Sequence, residues 1–164
     1  MLVQIAMLGG VFLLARRFMR SKRRLGSAGP IILGADGSAT IPVLATFTGL
    51  KGLSPWIAIA SNNLNPLLRF GPRGIHYKVI RQRAAGYANI ASVEVQTGPG
   101  TVNLCFVFND SALTFSANVG DEASAGEALR RLPKSVSRGP VATRLEALGV
   151  RVDPGDSEPQ PIGS

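Results

Sequence analysis

From Leu67 to Val119 apolar and polar positions alternate with the period of two that a half-buried strand imposes on its faces. Ile75, Tyr77 and Val79 fall on one side of a segment over 75–82, with His76, Lys78 and Ile80 on the other. Val93 and Val95 alternate with Ser92, Glu94 and Gln96. Val102, Leu104, Phe106 and Phe108 then form one apolar row, and Leu113, Phe115, Ala117 and Val119 another. Gly71-Pro-Arg-Gly74, Tyr87–Ile90, Gly98-Pro-Gly100 and Asn109-Asp110 read as the turns between them. This is the pattern of an antiparallel meander. Upstream, Gly34–Gly37 reads as a turn, and Ala39–Phe47 as a strand whose Pro42 calls for an edge or bulge. Gly49–Pro55 is a second turn region, and Trp56–Ser61 a short strand that Asn62-Asn63 ends.

The period changes after Val119. Asp121 suits an N-cap before a helix over Glu122–Leu132, which gathers Ala125, Ala128, Leu129 and Leu132 on one face and stops at Pro133. Pro140 suits the first turn of a second helix, with Val141, Leu145 and Leu148 toward the core and Gly149 ending it. Residues 150–164 are rich in Pro, Gly, Asp and Ser and read as a disordered tail.

The N-terminus follows neither period. Leu2–Ala15 holds one polar residue, Gln4, and no charge. As helix it covers about 21 Å, and about 27 Å if Arg16 and Arg17 snorkel so that Phe18 and Met19 join it, near the lower limit for a bilayer span. A cleavable signal peptide wants its positive charge before the apolar run, whereas here the charge follows it. An organellar presequence would be amphipathic, which this run is not. A buried or self-associating soluble helix is the remaining alternative. The expectation is a single-pass anchor whose basic collar, Arg16, Arg17, Arg20, Lys22, Arg23 and Arg24, lies against anionic headgroups. The positive-inside rule then puts the rest of the chain in the cytoplasm, on the inner membrane. The division is 1–24 helix and collar, 25–37 linker and entry turn, 38–149 folded body and 150–164 tail.

Charge changes the picture by its location. The chain of 164 residues carries 18 Lys+Arg and 10 Asp+Glu, a net +8. Without the six collar residues, 12 positive charges face 10 negative ones, so the body is close to neutral. A nucleic-acid-binding domain spreads its surplus over a folded face, and this body has little to spread. A soluble protein using residues 16–24 as a nucleic-acid arm is the alternative reading.

Few residues offer chemistry. One Cys excludes a disulfide framework and a Cys-based zinc site, and one His excludes His-pair metal sites. His76 has no motif supplying an orienting carboxylate or a nucleophile, and reads as a surface or packed histidine. Cys105 sits between Leu104 and Phe106 and reads as a small hydrophobe. Asp121-Glu122 reads as a helix start. Gly98-Pro-Gly100 lacks the third glycine of a dinucleotide fingerprint, and Asn109-Asp-Ser111 is a short glycosylation match on the expected cytoplasmic side. No catalytic, cofactor or metal residue is assigned, and no enzyme is expected. The one cluster with a binding reading is Lys78, Arg81 and Arg83 with Arg69 and Arg73 across the adjoining turn, a candidate contact for an anionic ligand or acidic partner. Its plain alternative is a solvated strand face, and exposed strand edges could instead accept a peptide.

NPLLRFGPRGIHYKVIRQR, Tyr87-Ala-Asn-Ile90, SVEV, TVNLCFVF, LTFSANV and the helix EALRRL occur in an order that resembles bacterial pleckstrin-homology-like domains, small modules often found beside a membrane helix. The resemblance covers Asn65–Leu132 well and Ala39–Ser61 loosely. It implies a mainly β, α+β body: an antiparallel barrel or sandwich of about seven strands in two orthogonal sheets, capped by a C-terminal helix. It also implies a non-enzymatic, membrane-tethered adaptor contacting a protein partner or anionic lipid. Eukaryotic pleckstrin-homology domains bind inositol phosphates from the loop joining their first two strands. KVIRQR lies farther along, so those residues are not carried over.

Overall fold

The computed structural model describes residues 28–52 and 58–148. The expected anchor, its collar, Trp56, Gly149 and the tail lie outside the described residues. No helix among the described residues is long and apolar enough to cross a membrane.

The body is mainly β, built from two five-stranded antiparallel sheets followed by two helices. The strands are β1 (Ile32–Leu33), β2 (Ala39–Ile41), β3 (Ala45–Leu50), β4 (Ala60–Asn62), β5 (Leu67–Phe70), β6 (Gly74–Lys78), β7 (Gln82–Gly86), β8 (Ile90–Gly98), β9 (Thr101–Phe108) and β10 (Leu113–Asn118). One sheet runs β1-β2-β5-β6-β7 and the other β4-β3-β10-β9-β8, and among the described residues they do not close into a barrel. The predicted meander forms β8 to β10, where Phe106 faces Val93 on one side and Phe115 on the other. Gly100, at φ +72°, supplies the left-handed residue of the tight Pro99-Gly100 turn between Gly98 and Thr101.

Three expectations about the strands need correction. Ala39–Phe47 is two strands, because Pro42 has no N–H to give a ladder. The chain there leaves one sheet as β2, paired with β5, and enters the other as β3, paired with β10. The segment 75–82 is a hairpin, with Lys78 opposite Gln82 and Val79-Ile80-Arg81 as its loop; with these two splits and the unexpected β1, the seven expected strands become ten among the described residues. Of the strand expected over Trp56–Ser61, Ala60 and Ser61 belong to β4, which includes Asn62.

The core lies between the sheets and under the helices. Leu68, Phe70 and Ile75 come from the first sheet, and Val93, Leu104, Phe106, Phe115 and Ala117 from the second. Phe70 meets Phe106 edge-on at 6.2 Å, across the two sheets. Each of these side chains larger than Ala117 contributes about 1.5–3 kcal/mol on burial.

Helix α1 (Glu122–Arg130) starts as predicted: Asp121 Oδ1 accepts the Ser124 N–H at 2.7 Å. It buries Ala125, Ala128 and Leu129, with Leu132 just beyond its end. Helix α2 (Pro140–Leu148) is rotated from the expected phase: Ala142 and Leu145 are buried, Val141 is half-buried, and Leu148 is 71% exposed. Gly126 explains the tight fit of the pair, since a Cβ there would lie 2.6 Å from the Leu145 carbonyl oxygen. The linker between the helices adds to β8: Val93 N–H donates to Ser137 O and Gly139 N–H to Val93 O. That occupies the outer edge of β8 at this point.

Candidate functional site

The predicted basic cluster divides into two groups in the structure. Leu68 and Phe70 of β5, and Ile75 and Tyr77 of β6, face inward, so Arg69, His76 and Lys78 share the outer face of the first sheet. There Arg69 is already engaged. Its Nη2 lies 2.5 Å from Asp36 Oδ2, and Nε and Nη2 donate to Ser38 Oγ at 2.9 and 2.7 Å. Arg73 stands on the exposed turn before β6. Arg83 pairs across the hairpin with Tyr77, which puts both on the inner side, and Arg81 lies in the hairpin loop. Structure thus separates Arg81 and Arg83 from Arg69, Arg73 and Lys78.

Arg81 and Arg83 are exposed on the wall of a groove of about 730 Å³. The groove opens where the β6–β7 hairpin lies over the ends of β3, β4, β9 and β10. Its floor is aromatic: Tyr77 lies 4.4 Å from Phe115 and 5.7 Å from Phe108 between ring centroids, the latter pair stacked. The far bank comes from Thr48, Ala60 and the β9–β10 turn with Asp110. Burial pushes the Tyr77 phenol above its ordinary range, with Arg83 pulling against that rise. Among the described residues Arg81 and Arg83 have no ion-pair partner, unlike Arg69. A floor of this kind holds apolar side chains, and the arginines give it a preference for negative charge.

The remaining candidates carry little chemistry. His76 is exposed between Arg69 and Ala84 on neighbouring strands. Cys105 is buried, and burial raises its thiol pKa although hydrogen bonding with Ser116 and Thr114 opposes the rise. Asp121 is occupied as the α1 cap. Asn109 donates its side-chain amide to Ala88 O at 3.0 Å. Among the described residues no three His, Cys, Asp or Glu side chains come together as metal ligands.

Tyr77, Phe108, Phe115 and Asp110 were not singled out as a site by the sequence. Tyr77, Phe108 and Phe115 read there as inward positions of three separate strands, and only the folding of the hairpin over the second sheet brings them together. No protein-family model matches the chain, and no curated protein sequence matches it.

Proposed function

We propose that the chain is a non-enzymatic binding module of pleckstrin-homology-like type, tethered by its N-terminus to the cytoplasmic face of the inner membrane. The groove supports this best: two arginines without ion-pair partners among the described residues stand beside an aromatic floor. That combination suits recognition of a partner carrying both negative charge and apolar surface. The two-sheet body with helices after its last strand is consistent with the resemblance drawn from the sequence. The apolar run over 2–15 and the six basic residues behind it support the tether, and a protein partner or anionic lipid would meet the groove near the bilayer. The near-neutral body favours this reading over a nucleic-acid arm.

Fractionation tests the proposal. Full-length protein and a version lacking residues 1–24 are compared on membranes washed in high salt and then in alkaline carbonate. Retention of the full-length chain alone through both washes is the expected result. Release by salt alone would reduce the collar to an electrostatic arm and sink the anchor.

A further inference from the structure

The open edge of β7 forms one wall of the groove, and its backbone can be phased from hydrogen bonds on either side of β6. Tyr87 N–H donates to Arg73 O at 3.2 Å, in register with the β6–β7 pairing of Ile75 with Ala85 and Tyr77 with Arg83. Gly71 N–H donates to Gly74 O at 2.8 Å, so the even-numbered residues of β6 bond to β5 and leave Ile75 and Tyr77 to bond to β7. Arg83 and Ala85 therefore use their N–H and C=O groups on β6. Gln82, Ala84 and Gly86 direct theirs at the open edge. Among the described residues β7 is the terminal strand of its sheet, and Ala84, Ala85 and Gly86 put no bulky side chain in the way. Arg83, Ala84 and Ala85 all line the groove, although Ala84 faces the outer side of the sheet. The groove thus runs along the strand edge as well as beneath its inner face.

We propose that this edge accepts an extended acidic peptide as an added strand, and that the groove takes its alternate side chains. The inference deepens the binding reading above by naming the class of ligand. A peptide residue opposite Ala84 exchanges backbone hydrogen bonds with it, and the residues on either side turn their side chains toward the groove. One of these meets Arg83, with Arg81 beyond it, where a carboxylate gains a charge-assisted partner. The next lies beside Ala85 over Tyr77 and Phe108, where an apolar or aromatic side chain fits the floor. Asp110 faces the same space from the far bank, which sets the apolar residue there and the acids along β7. The other edges are less suitable. β8 is already met by Ser137 and Gly139, and β1 and β4 have only two and three residues.

The test uses full-length protein in detergent micelles and a fluorescein-labelled peptide, Thr-Glu-Thr-Phe-Thr-Glu, whose Glu, Phe and Glu share one face of a strand. Its counterpart carries Lys in place of Glu. The acidic peptide should bind at least about tenfold more tightly than the basic one, and Arg83→Glu should remove that preference. Ala84→Pro removes an N–H directed away from β6, a position where an edge strand tolerates proline, and should weaken binding at least about tenfold. Amide hydrogen exchange at Ala84 should slow when the acidic peptide is added, an observation needing no variant. Equal binding of both peptides, or binding indifferent to both substitutions, would overturn the proposal. So would slowed Ala84 exchange in phosphatidylserine vesicles without peptide, because lipid would then occupy the edge. Carbonate resistance of the full-length chain is read separately, so loss of the peptide result leaves the tether standing, and the converse.

Discussion

Arg138 Nε lies 2.6 Å from Glu146 Oε2, joining the linker after α1 to the last turn of α2. The Nε–H is not aimed squarely at that oxygen, so the contact is an ion pair more than a directed hydrogen bond. The rest of the guanidinium is spent on carbonyls. Nη1 donates to Val136 O and Pro133 O at 2.9 and 3.3 Å, and Nη2 to Leu132 O and Leu129 O at 3.0 and 3.3 Å. Leu129 O and Pro133 O also accept backbone N–H groups, from Leu132 and Val136, whereas Leu132 O and Val136 O just past α1 have no backbone donor among the described residues. The Arg138 side chain is only 9% exposed. Arg138→Met should cost about 3 kcal/mol, because it leaves carbonyls and a partly buried carboxylate unpaired. Urea denaturation monitored by circular dichroism checks this. Arg138→Lys should recover little, since one ammonium cannot serve carbonyls spread around a planar fork.

Thr46 ties the two sheets together. Its fully buried hydroxyl donates to Lys78 O at 2.6 Å, from β3 to the end of β6 beneath the hairpin that carries Arg81 and Arg83. Thr46→Val keeps the volume and removes the donor, so it should cost about 1 kcal/mol. The substitution should also raise amide exchange in the Val79–Arg81 loop, since Lys78 anchors its first side. Unchanged exchange there would mean that packing of Val79 alone fixes the hairpin.

The parts of the fold legible in the sequence are those where one local force dominates. Over β8 to β10 the strands are long, and large apolar residues alternate with polar ones, so burial sets the register. Asp121 is legible because an N-cap needs only an oxygen at the right position. β7 escapes because Ala84 and Ala85 give little hydrophobic contrast and Val79-Ile80-Arg81 contains none of the usual turn residues. The phase of α2 was set by a neighbour 19 residues upstream (145 − 126), as Gly126 lets the Leu145 backbone approach and brings Ala142 inward in place of Leu148. The division of the basic cluster was equally hidden. Arg69 finds Asp36 at a separation of 33 residues, and nothing local to Arg69 distinguishes it from Arg83.

Cys105 should resist modification in the folded protein. It pairs with Ser116 on one side and Glu94 on the other in the centre of the second sheet, and burial holds the thiol in its protonated, unreactive form. A thiol-specific aromatic disulfide reagent should react at least about tenfold more slowly with native than with denaturant-unfolded protein near neutral pH. Equal rates would show that the sheet opens readily around β9.

Asp36 predicts a pH dependence in the segment leading into β2. Its Oδ1 accepts the Ser38 hydroxyl at 2.6 Å and the Ser38 backbone N–H at 3.2 Å, while Oδ2 faces Arg69. The Ser38 hydroxyl most of all, then the Ser38 N–H and the charge of Arg69, hold the carboxyl below its ordinary range. A carboxyl whose pKa is lower folded than unfolded contributes stability that is complete above its unfolded value of about 4 and lost as pH falls through the folded one. Asp36→Asn should therefore be less stable than the parent chain at about pH 7, and the gap should close by about pH 2. Because the carboxyl is exposed, the effect should also shrink at high salt where Arg69 contributes. Urea midpoints at the two pH values, with and without salt, measure it. A gap that persists unchanged in acid would assign the stabilisation to the shape of the Asp36–Ser38 turn instead of to its charge.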